Sequence, residues 1–267
     1  MLRNQYLCGA GPARRIGGMP GYGQFCPIAR ASEIFAERWT PLILREITAG
    51  GHHFSEILKG VHRISPSMLG QRLRTLERVG VIECRPNPLG RGSTYHLTPA
   101  GTQLADVVGT LGIWGQQWLE LGREHLDPDF LMWRIFKHLH LDDLPVSRQV
   151  VRFEFKDESK RYWLVLKRKD PDLCYSDPGF GDDLIVRANL EAMTRVYLGQ
   201  VDLSAALRAG LVEVEGPRDL VRALPIWLPR AGLAPHARPF RYDPAGKEFV
   251  RSEERPALLT AAVPQSR

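Results

Sequence analysis

Across residues 26–121 the apolar positions recur at helical spacing in short runs, each closed by glycine or reopened by proline. Cys26-Pro27 places proline at a first helical position, and Ile28, Ala31, Phe35 and Trp39 follow on one side. Thr40-Pro41 starts a second helix with Leu42, Ile43, Leu44 and Ile47 as its apolar side and Gly50-Gly51 as its stop. Phe54, Ile57 and Leu58 predict a third, short helix over 54–59 ended by Gly60. Ser65-Pro66 then pairs an N-cap serine with proline at the first turn, and Leu69, Leu73 and Leu76 form a buried seam over 65–79. After Gly80, residues 81–85 and 94–97 read as two strands of a hairpin, joined by the turn formers of 86–93. Thr98-Pro99 caps a long helix through Leu104, Val107, Val108, Leu111, Trp114 and Leu121.

The pattern changes at Asp127-Pro128-Asp129. Strand-like alternation of β-branched and aromatic residues with polar ones follows at 149–155, 162–166, 173–176 and 184–188. Helices are expected over 189–198 and 203–209, a fifth strand over 211–215, and a helix from Pro217 through Leu224. Prolines then accumulate without periodicity. The expected fold is therefore a mainly α winged helix-turn-helix, followed by an α+β domain with about five strands covered by helices. Its expected divisions are a disordered leader over 1–25, the winged helix over 26–126, the α+β domain over 127–230 and a Pro-rich tail over 231–267. Met19 is a second candidate start for the chain.

Length agrees with two domains, since 267 residues exceed the roughly 100–200 of one. No apolar run approaches the roughly 18 residues of a membrane span, and the glycine-broken leader lacks the apolar stretch of a secretory signal. The four cysteines fit neither a disulfide framework nor a paired metal motif, so a reducing, cytoplasmic setting is expected. The net charge of +6 and pI near 9.3 permit a polyanionic partner.

The position of that charge says more. Between residues 63 and 91 stand six arginines (63, 72, 74, 78, 85 and 91) against Glu77 and Glu83. A major groove admits one α-helix, whose N-terminal side chains reach base edges, and glutamine and arginine make bidentate contacts to adenine and guanine. With its leucine seam inward, the 65–79 helix leaves Ser65, Ser67, Met68, Gln71, Arg72, Arg74 and Thr75 as candidate DNA contacts, and Arg91 at the hairpin tip as a candidate wing contact. Solvated basic faces are common on amphipathic helices. The order of elements is what favours double-stranded DNA: short helix, turn, N-capped basic helix, glycine-tipped hairpin.

Residues 26–120 resemble the HxlR family of bacterial winged-helix regulators, relatives of the MarR group. The segments carrying the resemblance are Cys26-Pro27-Ile28, Glu37-Arg38-Trp39-Thr40, Leu42-Ile43-Leu44-Arg45-Glu46, Phe54-Ser55-Glu56-Ile57, Ile64-Ser65, Met68-Leu69, Arg72-Leu73, Leu76-Glu77, Gly80-Val81-Ile82 and Tyr95 through Gly101. The resemblance implies a homodimer built through the first helix and the long helix after the wing, reading an inverted repeat. Gly70 departs from it, standing where serine is common.

Two signal inputs are expected. Cys26 lies at a helix N-terminus, where unpaired amides favour a thiolate, and some members of the family use the equivalent cysteine as a redox sensor; the alternative is a small interface residue. Residues 129–228 resemble the sterol carrier protein type 2 fold through their strand cluster and Leu211-Val212-Glu213-Val214-Glu215-Gly216-Pro217. That likeness implies an apolar effector lined by Trp133, Phe136, Met193, Tyr197, Leu207 and Leu224, all of which also suit an ordinary core. The histidine pairs His52/His53 and His138/His140 lack metal-binding spacing, and no nucleophile elbow or phosphate loop is present, so neither enzyme activity, cofactor nor metal is expected. The competing reading is a lipid-binding or transfer protein whose winged helix serves dimerisation.

Overall fold

A computed structural model describes residues 21–87, 90, 92–156 and 158–252. The chain divides into two compact units, the first ending at Gly112 and the second starting at Ile113. The N-terminal leader, apart from 21–25, and the end of the tail beyond 252 lie outside the described residues, as does Arg91.

In the first unit α1 (Pro27–Phe35), α2 (Thr40–Thr48), α3 (Phe54–Gly60) and α4 (Pro66–Arg78) precede an antiparallel hairpin of β1 (Ile82–Pro86) and β2 (Ser93–Leu97), and α5 (Pro99–Trp118) follows, beginning in this unit and ending beyond its last residue. Ile43, Leu44 and Ile47 of α2, Ile57 of α3 and Leu69, Leu73 and Leu76 of α4 form its core. This is a winged helix-turn-helix. Only Gly101 of α5 is buried, and the helix stops at Trp118, short of the expected Leu121. Thr98 fastens the start of α5 to the wing: its Oγ1 donates to Gly80 O (2.6 Å) and Val81 O (3.1 Å) and accepts from Gly101 N (3.1 Å).

The second unit carries α6 (Pro128–Lys137), β3 (Gln149–Phe155), β4 (Arg161–Leu166), β5 (Asp172–Cys174), β6 (Leu184–Ala188), α7 (Leu190–Tyr197), α8 (Leu203–Arg208), β7 (Val212–Glu215) and α9 (Arg218–Trp227). Its mixed sheet has the order β5-β4-β3-β6-β7, with β3 and β6 parallel and the other neighbours antiparallel. Alternation sends Val151, Phe153, Phe155, Tyr162, Leu164, Leu184 and Val186 into one core with Met132 and Ile135 of α6 and Met193 and Val196 of α7. Arg152, Glu154 and Arg187 ion-pair on the other face. Each strand and helix expected after residue 148 is present within a few residues. α9 runs past Leu224 because Pro225 is exposed, Trp227 beyond it is buried, and Leu228 N still bonds Leu224 O at 3.0 Å.

The expectation of an aperiodic tail from residue 231 does not hold over 240–251. β8 (Phe240–Asp243) and β9 (Glu248–Arg251) form a hairpin there. The Arg195 guanidinium lies over the Phe240 and Phe249 rings at 4.5 and 4.9 Å from their centres, and Phe240 N donates to Gln200 O at 2.8 Å. The hairpin is held by contacts to α7 and the turn after it, which leave no local periodic signal.

Candidate nucleic-acid interface

Helix α4 is built to present one face. Ser65 caps it, accepting from Met68 N at 3.2 Å and lying 3.1 Å from the Ser67 hydroxyl, and Pro66 begins it at no hydrogen-bond cost. Leu69, Leu73 and Leu76 are essentially inaccessible, which fixes the rotation of the helix on α2 and α3. The opposite side exposes Ser67, Gln71, Arg74 and Arg78.

Not every candidate contact lies on that exposed side. Met68 is half-buried and packs against the core. Thr75 is also half-buried, its hydroxyl donating to Gln71 O at 3.1 Å. Arg72 is turned inward: its Nη2 lies 2.6 Å from Glu37 Oε2, and its side chain is only 14% exposed. Sequence periodicity put Arg72 on the polar face. A side chain at the border of that face chooses between solvent and protein according to what the protein offers, and here the α1–α2 turn offers a carboxylate.

The wing is attached to the helical core by more than its own ladder. His53 bridges to Thr94, Tyr95 N donates to His52 O (2.9 Å), and His52 Nδ1 donates to Tyr95 O (3.0 Å). The His52 and His96 rings stack at 4.5 Å. Burial first, then His52 and Arg85, lower the His96 imidazole pKa from the usual histidine range against the opposing pull of Glu83. Glu56 ties the same loop to α3, accepting from the amides of His52 and His53 at 3.0 Å.

Apolar side chains lie open on two helices. Ile28 beside Cys26 is 77% exposed, and Val107, Leu111, Trp114 and Trp118 form an exposed stripe on α5. Cys26 is a free thiol at the α1 N-cap with no side-chain capping bond. In the second unit Met193, Tyr197 and Leu224 belong to the packed core, Phe136 and Leu207 pack against it, and Trp133 meets the Phe136 ring at 5.8 Å. A cleft of about 310 Å³ in this unit has other walls, chiefly Lys156, Lys160, Arg161, Arg187, Glu154 and Glu158. Among the described residues no helix is long and apolar enough to cross a membrane, and no group of three potential metal ligands is assembled.

The model of the HxlR-like helix-turn-helix family matches residues 34–123. YvaP, an HTH-type transcriptional regulator of Bacillus subtilis, is 32% identical over 111 residues, which span 40% of this chain and 95% of the relative. YodB, an HTH-type transcriptional regulator from the same organism, is 32% identical over 99 residues, 36% of this chain and 88% of the relative. The solved reduced form of YodB aligns at 31% identity with a TM-score of 0.32, covering 37% of this chain and 99% of that one.

Proposed function

The chain belongs to the HxlR-like helix-turn-helix family of transcriptional regulators, and on that premise we propose that it binds an inverted-repeat operator as a homodimer through α4. The observation that carries this reading is the N-capped helix whose leucine seam is fully buried and whose opposite side exposes Ser67, Gln71, Arg74 and Arg78. Gln71 and Arg74 are the base readers on this reading, and Ser65 and Ser67 contact phosphate at the helix N-terminus. Met68 and Thr75, each half-buried, are the remaining candidates on α4, and Arg91, outside the described residues, remains the candidate wing contact. The open apolar side chains of α1 and α5 fit the dimer contact, since water-exposed Trp114, Trp118 and Ile28 gain on burial against a second copy.

A gel shift across a salt series tests it, using duplex DNA from upstream of the gene and duplexes selected by the protein from a random pool. Wild-type binding is expected to weaken steeply with salt, and Gln71→Ala to lose about 5- to 100-fold on selected duplexes. Arg74→Ala is expected to lose a similar factor and flatten the salt dependence by about one unit of slope if it also meets a phosphate. Absent or salt-independent binding refutes the regulator reading.

Thiol control is part of the proposal. Cys26 caps α1, so a bulky adduct on its sulfur would disturb the same helix that offers Ile28 for dimerisation. Treatment with a quinone is expected to release operator DNA from the wild type and not from Cys26→Ser; equal release from both removes the sensor role.

A further inference from the structure

We propose that Glu37 is a positioning residue for DNA readout, and that the Glu37–Arg72 ion pair sets the recognition helix instead of Arg72 reading bases. This rests on the reading of α4 as the DNA-contacting helix. Arg72 sits in the middle of α4 between the buried Leu69 and Leu76, and its side chain is 86% covered, the complement of its 14% exposure. Its guanidinium ion-pairs with Glu37, itself 23% exposed, at 2.6 Å, and its Nε is buried without a hydrogen-bond partner. An arginine cannot shed its charge, so withdrawing this guanidinium towards DNA would leave the part-buried Glu37 carboxylate without its partner. Reaching a base would require that withdrawal.

The backbone that carries the carboxylate is held by its own turn. Glu37 lies in the turn between α1 and α2, where Glu37 O accepts from Thr40 N (3.0 Å) and Trp39 O accepts from Ile43 N (2.9 Å). Trp39 holds a left-handed backbone (φ 80°), packs against the core of this unit and carries the Arg38 guanidinium over its ring at 4.6 Å. A non-glycine residue keeps such a conformation only where its surroundings enforce it. The turn is therefore a rigid mount, and it is the continuation of α1. The pair links the end of α1 to the middle of α4, so the position of α1, which carries Cys26 at its other end, is passed to the angle at which Gln71 and Arg74 meet a groove.

The alternative is that Glu37 merely stores an arginine that DNA later takes, and the two accounts predict opposite signs. The test compares duplexes selected by the wild type from a random pool with a random-sequence duplex of equal length. Positioning predicts that Glu37→Gln lowers the specific-to-random affinity ratio about tenfold, as expected for residues coupled in one ion-pair network, while binding to the random duplex and its salt slope stay unchanged. The charge-swapped double variant Glu37→Arg/Arg72→Glu is expected to recover most of that ratio, which Arg72 acting as a base reader would not produce, since a glutamate at that position cannot replace its guanidinium. Circular dichroism melting accompanies each variant, and the swapped protein keeps the test alive if Glu37→Gln melts early. Unchanged or tighter specific binding by Glu37→Gln overturns the proposal, as does a swapped variant no better than Glu37→Gln. Loss of discrimination by the wild type itself would instead refute the regulator reading.

Discussion

Gly101→Ala is expected to destabilise the winged helix by on the order of 3 kcal/mol, with a melting midpoint lower by roughly 10 °C or more. A Cβ at this position would lie 2.0 Å from Val81 O and 3.1 Å from Val81 C. Both atoms are backbone, and Val81 O is already committed to Thr98, accepting from its N and its Oγ1 at 3.1 Å. Neither side can move without releasing the first turn of α5 from the base of the wing. Helix propensity alone favours alanine over glycine by about 1 kcal/mol, so the sign of the change decides between the two effects. Thermal melting of the two proteins is the measurement, and an unchanged or raised midpoint would show that α5 does not approach Val81 this closely.

Arg195→Met has the largest expected effect in the second unit. The side chain is 5% exposed, and its guanidinium meets Glu191 Oε1 at 2.8–2.9 Å, donates to Gln200 Oε1 at 2.9 Å and lies over the Phe240 and Phe249 rings at 4.5 and 4.9 Å from their centres. Methionine fills much of the volume but leaves the Gln200 carbonyl buried without its donor and removes the cation from the two rings. The cost is about 3 kcal/mol, at the lower end for a broken buried pair because Glu191 is 30% exposed and regains water. The loss should be local first. Hydrogen exchange is expected to show the amide of Phe240, which donates to Gln200 O, opening well before those of β3 and β4. A hairpin as protected as in the wild type would mean that Arg195 does not hold it.

These two residues show why parts of the chain could be read from sequence and others could not. The N-cap Ser65, the proline after it and the Leu69/Leu73/Leu76 seam are local signals, each acting within a turn or two of helix, and the structure places them as periodicity implies. The strands of the second unit were legible for the same reason, since alternation in Gln149–Phe155 follows directly from burial of one face. The hairpin of residues 240–251 was not, because four of its residues per strand carry little pattern and its anchor, Arg195, comes from α7. Arg195 in turn reads as an ordinary helix-surface cation until the rings that cover it are in place. The candidate effector residues fared differently again: apolar spacing marked Met193, Tyr197 and Leu224 as inward-facing, and inward here means into the packed core.

Sequence by itself therefore determined the winged helix, the α+β second unit and the basic side of α4, because caps, glycine stops and apolar periods act over a few neighbouring residues. Tertiary structure decided which polar residues on that side are exposed. Arg72 and Gln71 are adjacent in the chain and chemically equal candidates for base contact. One is held at 2.6 Å from Glu37 while the other stands in solvent, and a carboxylate delivered by a different helix turn is what separates them.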